Sequence, residues 1–140
     1  SAPLIAVWDD HEVTNDAYKD GAENHQANEG SYLKRKAAAM RAYFEWMPIR
    51  ESADAANEMI NRSFKFGELL ELHMLDTRNI GRDRQMNYAN YIDPETGVFD
   101  TTLFSSDLTD SDRTLLGSRQ LEWTIRCLML KLSGWVLPCL

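Results

Sequence analysis

Cysteine is scarce in this chain of 140 residues: Cys127 and Cys139 are its two examples, and they form no C-x-x-C pair. That count is too low to imply a disulfide framework, and it leaves the redox compartment open. No run of about 18 apolar residues occurs, so the sequence indicates no transmembrane helix. No basic stretch precedes an apolar one at the start, so no signal peptide is visible. A phosphate-cradling glycine loop and a G-x-S-x-G elbow are both missing, which leaves nucleotide-triphosphate chemistry and local Ser-His-Asp catalysis unsupported. Positive charge is outnumbered, with 15 Lys and Arg against 22 Asp and Glu and a net charge of -7. A general basic field for nucleic acid or anionic membrane is therefore disfavoured. An acidic chain can still meet an anionic ligand if metal cations invert the local sign. What is present is ordinary globular material, 44% hydrophobic and 26% charged, which argues against disorder and suits one domain.

The order of elements follows from periodicity and breakers. Pro3 to Trp8 is a short continuous apolar run, the pattern of a buried strand. Residues 14–30 are rich in turn formers and make a long loop of the kind that is often functional. Ser31 to Met47 predicts a helix, with Leu33, Ala37, Met40, Phe44 and Met47 on one face and Pro48 ending it. Phe64 to Leu75 reads as two strands or one strand bent around Gly67, with a helix over Glu68 to Leu75 as the competing reading. Residues 79–113 are polar and turn-rich, and Asp93 to Gly97 is a turn. Gly117 or Ser118 opens a last helix reaching about Leu132, striped by Leu121, Ile125, Leu128 and Leu132. Gly134 then precedes a final strand. Strand, loop, helix, strands, loop, helix, strand favours a mixed α/β layered architecture over a bundle.

Both ends are apolar, from Pro3 at one end to Trp135-Val136-Leu137 at the other. Termini of complete domains are commonly polar. The expectation is a fragment of a longer chain, with a processed mature protein as the alternative.

The chemistry concentrates where the first apolar run stops, at Asp9-Asp10-His11-Glu12. Ligands of layered α/β proteins bind beyond the carboxyl ends of strands. Carboxylate oxygens suit hard cations, and a neighbouring imidazole can ligate or carry a proton near neutral pH. The plain alternative is a solvated turn. His25 reads as exposed and His73 as a hydrogen-bonded core or sheet residue. Asp107, Asp110 and Asp112 are spaced loosely like a calcium loop but lack its glycine and closing glutamate, so a solvated acidic loop is the better reading.

Beyond these residues, several motifs occur in order: W-D-D-H-E-V-T-N-D at Trp8–Asp16, G-A-x-N-H at Gly21–His25, and A-A-x-x-A-Y-F-E-W-M-P-I-R at Ala38–Arg50. They continue with F-K-F-G at Phe64–Gly67, M-L-D-T-R at Met74–Arg78, R-D-R-Q at Arg82–Gln85 and L-L-G-S-R-Q-L-E-W at Leu115–Trp123. Together they resemble the PhoD-like alkaline phosphatases, of the metallophosphoesterase group, from about residue 3 to residue 132. The resemblance implies an α/β sandwich with a multinuclear metal centre at strand ends, of which residues 1–140 form a central part. It places Asp10 as a metal ligand and His11 as the catalytic residue, with Asp9, Glu12 and Asn15 in possible supporting places. It also implies iron with calcium as cofactors, a phosphomonoester or phosphodiester substrate, and periplasmic or extracellular residence of the parent. No membrane or nucleic-acid partner is implied.

Further metal ligands of the family precede the first strand or follow the last helix, and this chain lacks both parts. The expectation is therefore a poor enzyme, or none, in the isolated chain. The alternative class is a non-catalytic binding domain that keeps the metallophosphatase scaffold with a vestigial D-D-H-E turn.

Overall fold

A computed structural model of the chain describes residues 4–50 and 59–132. The strand predicted after Gly134, the apolar C-terminal run and Pro3 lie outside the described residues. Two α-helices bracket the sequence, Tyr32–Trp46 (α1) and Gly117–Leu132 (α3), with a short helix Thr101–Leu108 (α2) between them. Two strands, Arg62–Phe66 (β1) and Leu70–Met74 (β2), pair antiparallel with Arg62 opposite Met74 and Phe66 opposite Leu70. The mixed α/β class holds, with a two-stranded sheet among the described residues.

Local chemistry explains each element. The Ser31 side chain accepts from the Lys34 amide at the start of α1, and Pro48 follows its C-cap Met47. The Phe64–Leu75 ambiguity resolves as a hairpin, because Gly67 sits at φ 58°, a left-handed turn conformation that costs glycine little. The helical reading of Glu68 to Leu75 is thereby excluded. Helix α2 and a 3-10 turn at Tyr88–Tyr91 stand where the sequence suggested only loop. Asp100 caps α2 by accepting from the amides of Thr102 and Leu103 at 3.0 and 2.9 Å. A ring cluster of Tyr88, Tyr91, Phe99 and Phe104 supplies the packing, with Phe99 and Phe104 centroids 5.3 Å apart. Asp107 belongs to α2 and accepts from the Tyr91 hydroxyl at 2.7 Å, so the solvated acidic loop is corrected there.

Three further expectations need correction. Residues 4–9 pair with no described strand. Arg62 instead reaches from β1 to the Ala6 carbonyl at 2.7 Å, a side-chain tether in place of a ladder. The buried side of α1 is Tyr32, Met40 and Phe44, whereas Leu33 is 58% exposed. The face shifts because the chain that covers α1 is residues 7–22, not a sheet. The buried positions of α3 include Gln120 and Cys127, while Leu121, Ile125 and Leu128 are about half exposed. Cys127 is disulfide-bonded.

Two small apolar clusters hold α1 in place. Trp8, Met40, Phe44 and Ile60 form one, with Val7, Tyr43 and Ile49 against it. Val13, Ala17 and Tyr32 form the other, with Ala22 and Ala39. The Trp8 ring meets Tyr43 and Phe44 edge-on at 5.4 and 5.8 Å, a favourable aromatic geometry. The segment carrying Asp9 to Asp16 therefore leaves a buried tryptophan and returns to a buried Val13 and Ala17. That double anchor positions the acidic turn.

Candidate functional site

The turn begins at Asp10. Its carbonyl accepts from the amides of Val13 and Thr14 at 3.2 and 3.1 Å, and its carboxylate Oδ2 accepts from the Asp16 amide at 2.8 Å. Asp16 closes the turn at φ 50°, a left-handed value that aspartate tolerates better than most residues. The Glu12 carboxylate accepts from the Asp9 amide at 2.9 Å. The Asn15 amide donates to Glu23, tying the turn to the following loop.

This leaves the carboxylates on one side and a single guanidinium among them. Arg78 Nε bonds Asp9 at 2.6 Å, its Nη2 lies 3.7 Å from Asp10 Oδ1, and its Nη1 lies 3.7 Å from Asp16. The crowding of Asp9, Asp10 and Asp16 is thus offset by a residue from the M-L-D-T-R motif. Burial alone would raise the Asp10 carboxyl. The backbone amides of Asp16 and of Asp10 itself, Arg78 and His11 outweigh it and hold the group below its ordinary value.

Arg78 is itself positioned from beneath. Asp76, fully buried, accepts from the amides of Arg78 and Asn79, both at 2.8 Å. Its other oxygen accepts from the Trp8 indole at 2.7 Å. Gln120 of α3 brackets the same backbone, accepting from the Asp76 amide and donating to its carbonyl, each at 2.7 Å. Burial pushes the Asp76 carboxyl up, against the opposing effect of these donors and of Lys36. One buried carboxylate thus joins the residue before Asp9 to the residues that carry Arg78.

His11 stands differently. Its side chain is 77% exposed while that of Asp10 is 8% exposed, and Nδ1 lies 3.2 Å from Asp10 Oδ1. A buried, ionised carboxylate therefore faces one ring nitrogen and leaves the other toward solvent. This arrangement fixes the ring, as in other carboxylate–histidine pairs. His25 and His73 are elsewhere. The former bonds the Gly30 carbonyl at 3.2 Å, and the latter lies 3.4 Å from Glu71 with its ring against Trp123.

The described residues do not fit a complete metal centre. Both Asp10 oxygens are engaged, one by the Asp16 amide and one beside His11 and Arg78. No group of three or more His, Cys, Asp or Glu is arranged for an ion among the described residues. Sequence reasoning gave Asp10 as a metal ligand and His11 as the catalytic residue; the structure shows the two side chains in contact at 3.2 Å. It gave Arg78, Asp76 and Gln120 no role, although each lies within a motif quoted above. Their partners are 44 to 69 residues away, a distance that pattern reading does not span.

An imidazole held beside a buried carboxylate is a group that general acid–base chemistry can use. Residues 1–137 match the family model of the PhoD-like phosphatases, and the chain belongs to that family. It is 33% identical over 135 residues to alkaline phosphatase D of Bacillus subtilis (strain 168), an alignment covering 95% of this chain and 21% of that protein. The chain thus spans about a fifth of the length of this curated relative. No solved structure matches.

Proposed function

We propose that this chain supplies the acid–base corner of a phosphoester hydrolase, within a longer protein. The observation that carries the reading is the contact of His11 Nδ1 with Asp10 Oδ1 at 3.2 Å, the imidazole being exposed and the carboxylate buried. Asp10 accepts a hydrogen bond from Nδ1–H and fixes the ring. As water forms a bond to phosphorus and the ester P–O bond breaks, Nε2–H passes its proton to the departing oxygen, and a proton of the attacking water restores the imidazole. Asp9, Glu12 and Asn15 hold the turn through the bonds described above. The substrate is a phosphomonoester or phosphodiester.

Metal dependence, with iron and calcium as the expected ions, belongs to the same proposal. The family resemblance gives Asp10 as this chain's ligand, and a cation there would have to displace the Arg78 contact at 3.7 Å from Asp10 Oδ1. Metal content of the longer protein, measured before and after chelation, checks this part. Periplasmic or extracellular residence is consistent with the family, and the disulfide-bonded Cys127 suits an oxidising compartment.

The test is hydrolysis of p-nitrophenyl phosphate by the longer protein. His11→Ala is expected to reduce turnover by about 10²-fold or more, the usual contribution of general acid catalysis. Unchanged turnover would favour a non-catalytic binding domain. Asp10→Asn keeps an acceptor for the Asp16 amide but withdraws the charge beside His11. It is expected to lower turnover more than it lowers thermal stability.

A further inference from the structure

Each nitrogen of the Arg78 guanidinium has its own carboxylate. Nε bonds Asp9 at 2.6 Å, Nη2 lies 3.7 Å from Asp10 Oδ1, and Nη1 lies 3.7 Å from Asp16. The three acids differ in their need of it. Asp9 and Asp16 have side chains 69% and 43% exposed, so water screens them whether or not a partner is near. Asp10 is buried, and its charge depends on what the protein supplies.

The Asp10 carboxylate is enclosed by the protein's own groups. Oδ2 accepts from the Asp16 amide at 2.8 Å. Oδ1 is met from two directions, by His11 Nδ1 at 3.2 Å and by Arg78 Nη2 at 3.7 Å. A divalent ion on Oδ1 would have the guanidinium as a near neighbour of like charge. It would also need several further oxygen ligands. No three His, Cys, Asp or Glu side chains are arranged for an ion among the described residues.

Arg78 is delivered to this place from three separate segments. Asp76 accepts from the amides of Arg78 and Asn79 and from the indole of Trp8, the residue before Asp9. Gln120 of α3 brackets the Asp76 backbone. Lys36 of α1 donates to the Asn79 carbonyl at 3.0 Å and to the Lys19 carbonyl at 2.9 Å. Asp76 and Gln120 are fully buried. A cation carried on a backbone held this way is a built part of the turn.

We infer that Arg78 is the resident cation of the acidic turn and a positioning residue for His11, with Asp10 as the carboxylate that pairs with both, in place of the metal-ligand role that the resemblance gives it. The Asp16 amide fixes one Asp10 oxygen, and the planar guanidinium fork holds the other toward His11. Arg78 acts through Asp10. The positioning role rests on the hydrolytic reading of His11; the charge pairing does not.

The longer protein tests both parts. After chelation, its calcium affinity by calorimetry is expected to be the same in wild type and Asp10→Asn. Weakening by about tenfold or more would overturn the inference, because a ligand that loses its charge holds calcium less well. The pairing is read by a double-mutant cycle in thermal melts. Arg78→Met is expected to lower the midpoint less in an Asp10→Asn background, where no charge remains to pair, than in wild type. An equal drop in both would overturn the pairing. Positioning is read in the kinetics of p-nitrophenyl phosphate. Arg78→Met is expected to reduce kcat by up to about 10²-fold with KM nearly unchanged, and Arg78→Lys to recover part of the loss. A raised KM with kcat kept would make Arg78 a substrate contact and overturn the positioning role. Should Arg78→Met not fold, Arg78→Gln, which keeps donors and loses the charge, takes its place in both measurements. If His11→Ala leaves turnover intact while the cycle stays non-additive, the hydrolytic reading fails and the resident cation stands. If His11→Ala abolishes turnover and the cycle is additive, the reverse holds.

Discussion

Arg78 illustrates how one side chain can decide whether an acidic turn is stable. It is 19% exposed and serves three aspartates at once, at 2.6, 3.7 and 3.7 Å. Exposed Asp9 contributes little through such a pair, but Asp10 is buried, and an unpaired buried charge is costly. Arg78→Met is expected to destabilise the fold by about 2–3 kcal/mol, read from the urea midpoint. Lysine at this position should recover only part, because one ammonium cannot reproduce a spread guanidinium. Acid should act on the same groups. Asp10 is held below the ordinary value of 3.8, and the Lys19 bond holds Asp83 below it too. Their stabilisation is present above 3.8 and is lost as the pH falls through their lowered values. Asp76, pushed upward by burial, works oppositely: its contribution is present below 3.8 and is lost as the pH rises through its raised value. Asp83→Asn should therefore flatten the loss of stability below 3.8 in a pH series of urea melts. An unchanged acid limb would remove Asp83 from this account. The cluster of Asp9 to Glu12 was legible because its members are adjacent in the chain, but the contact of His11 with Asp10 was not foreseen. Arg78 was not, since nothing in a sequence pattern states which distant cation an aspartate meets.

At the scale of elements, caps and glycines mark where substitution matters most. Asp100→Ala should cost about 1 kcal/mol by freeing two amides at the start of α2, seen as faster hydrogen exchange there. Gly81 is a more severe case. A Cβ at this position would fall on the backbone of Leu116 and Gly117, where the loop after Arg78 crosses the start of α3. No side-chain rearrangement relieves a clash with backbone. Gly81→Ala is expected to cost more than about 3 kcal/mol or to prevent folding, checked by circular dichroism. Helix α1, the hairpin and α3 were legible because their signals are local: Pro48, Gly67, and apolar spacing. Helix α2 was not, because Thr101, Thr102, Ser105 and Ser106 give it weak propensity. Its Asp100 cap and its packing on Tyr88 and Tyr91 override that composition. The faces of α1 and α3 were misjudged for a related reason. Burial depends on which neighbour arrives, and a loop arrived against α1 where a sheet was expected.

The described residues carry apolar surface that their clusters leave uncovered. Phe66, Leu69 and Leu70 at the hairpin and Leu121, Ile125 and Leu128 on α3 are all exposed. A two-stranded sheet is marginal by itself, and contiguous apolar surface promotes association. The isolated chain is expected to melt broadly, with weak near-ultraviolet signal from its tryptophans, and to self-associate in sedimentation. One sharp, concentration-independent transition would show instead that these clusters suffice for a self-contained fold. The same comparison bears on activity: the isolated 140 residues should hydrolyse p-nitrophenyl phosphate poorly or not at all, whereas the longer protein should do so.

The bond from Trp8 to Asp76 spans 68 residues, and that span sets an order of events during synthesis. When the acidic turn leaves the ribosome, its counter-cation has not yet been made. For several seconds, at about 5–20 residues per second, Asp9, Asp10 and Asp16 repel one another in water with nothing to gather them. Helix α1 and the hairpin need only near neighbours and can form first. Closing the long loop is entropically slower. The acidic turn should therefore reach its final shape among the last events, so that His11 gains its fixed carboxylate only after Arg78 and its supporting Asp76 are in place.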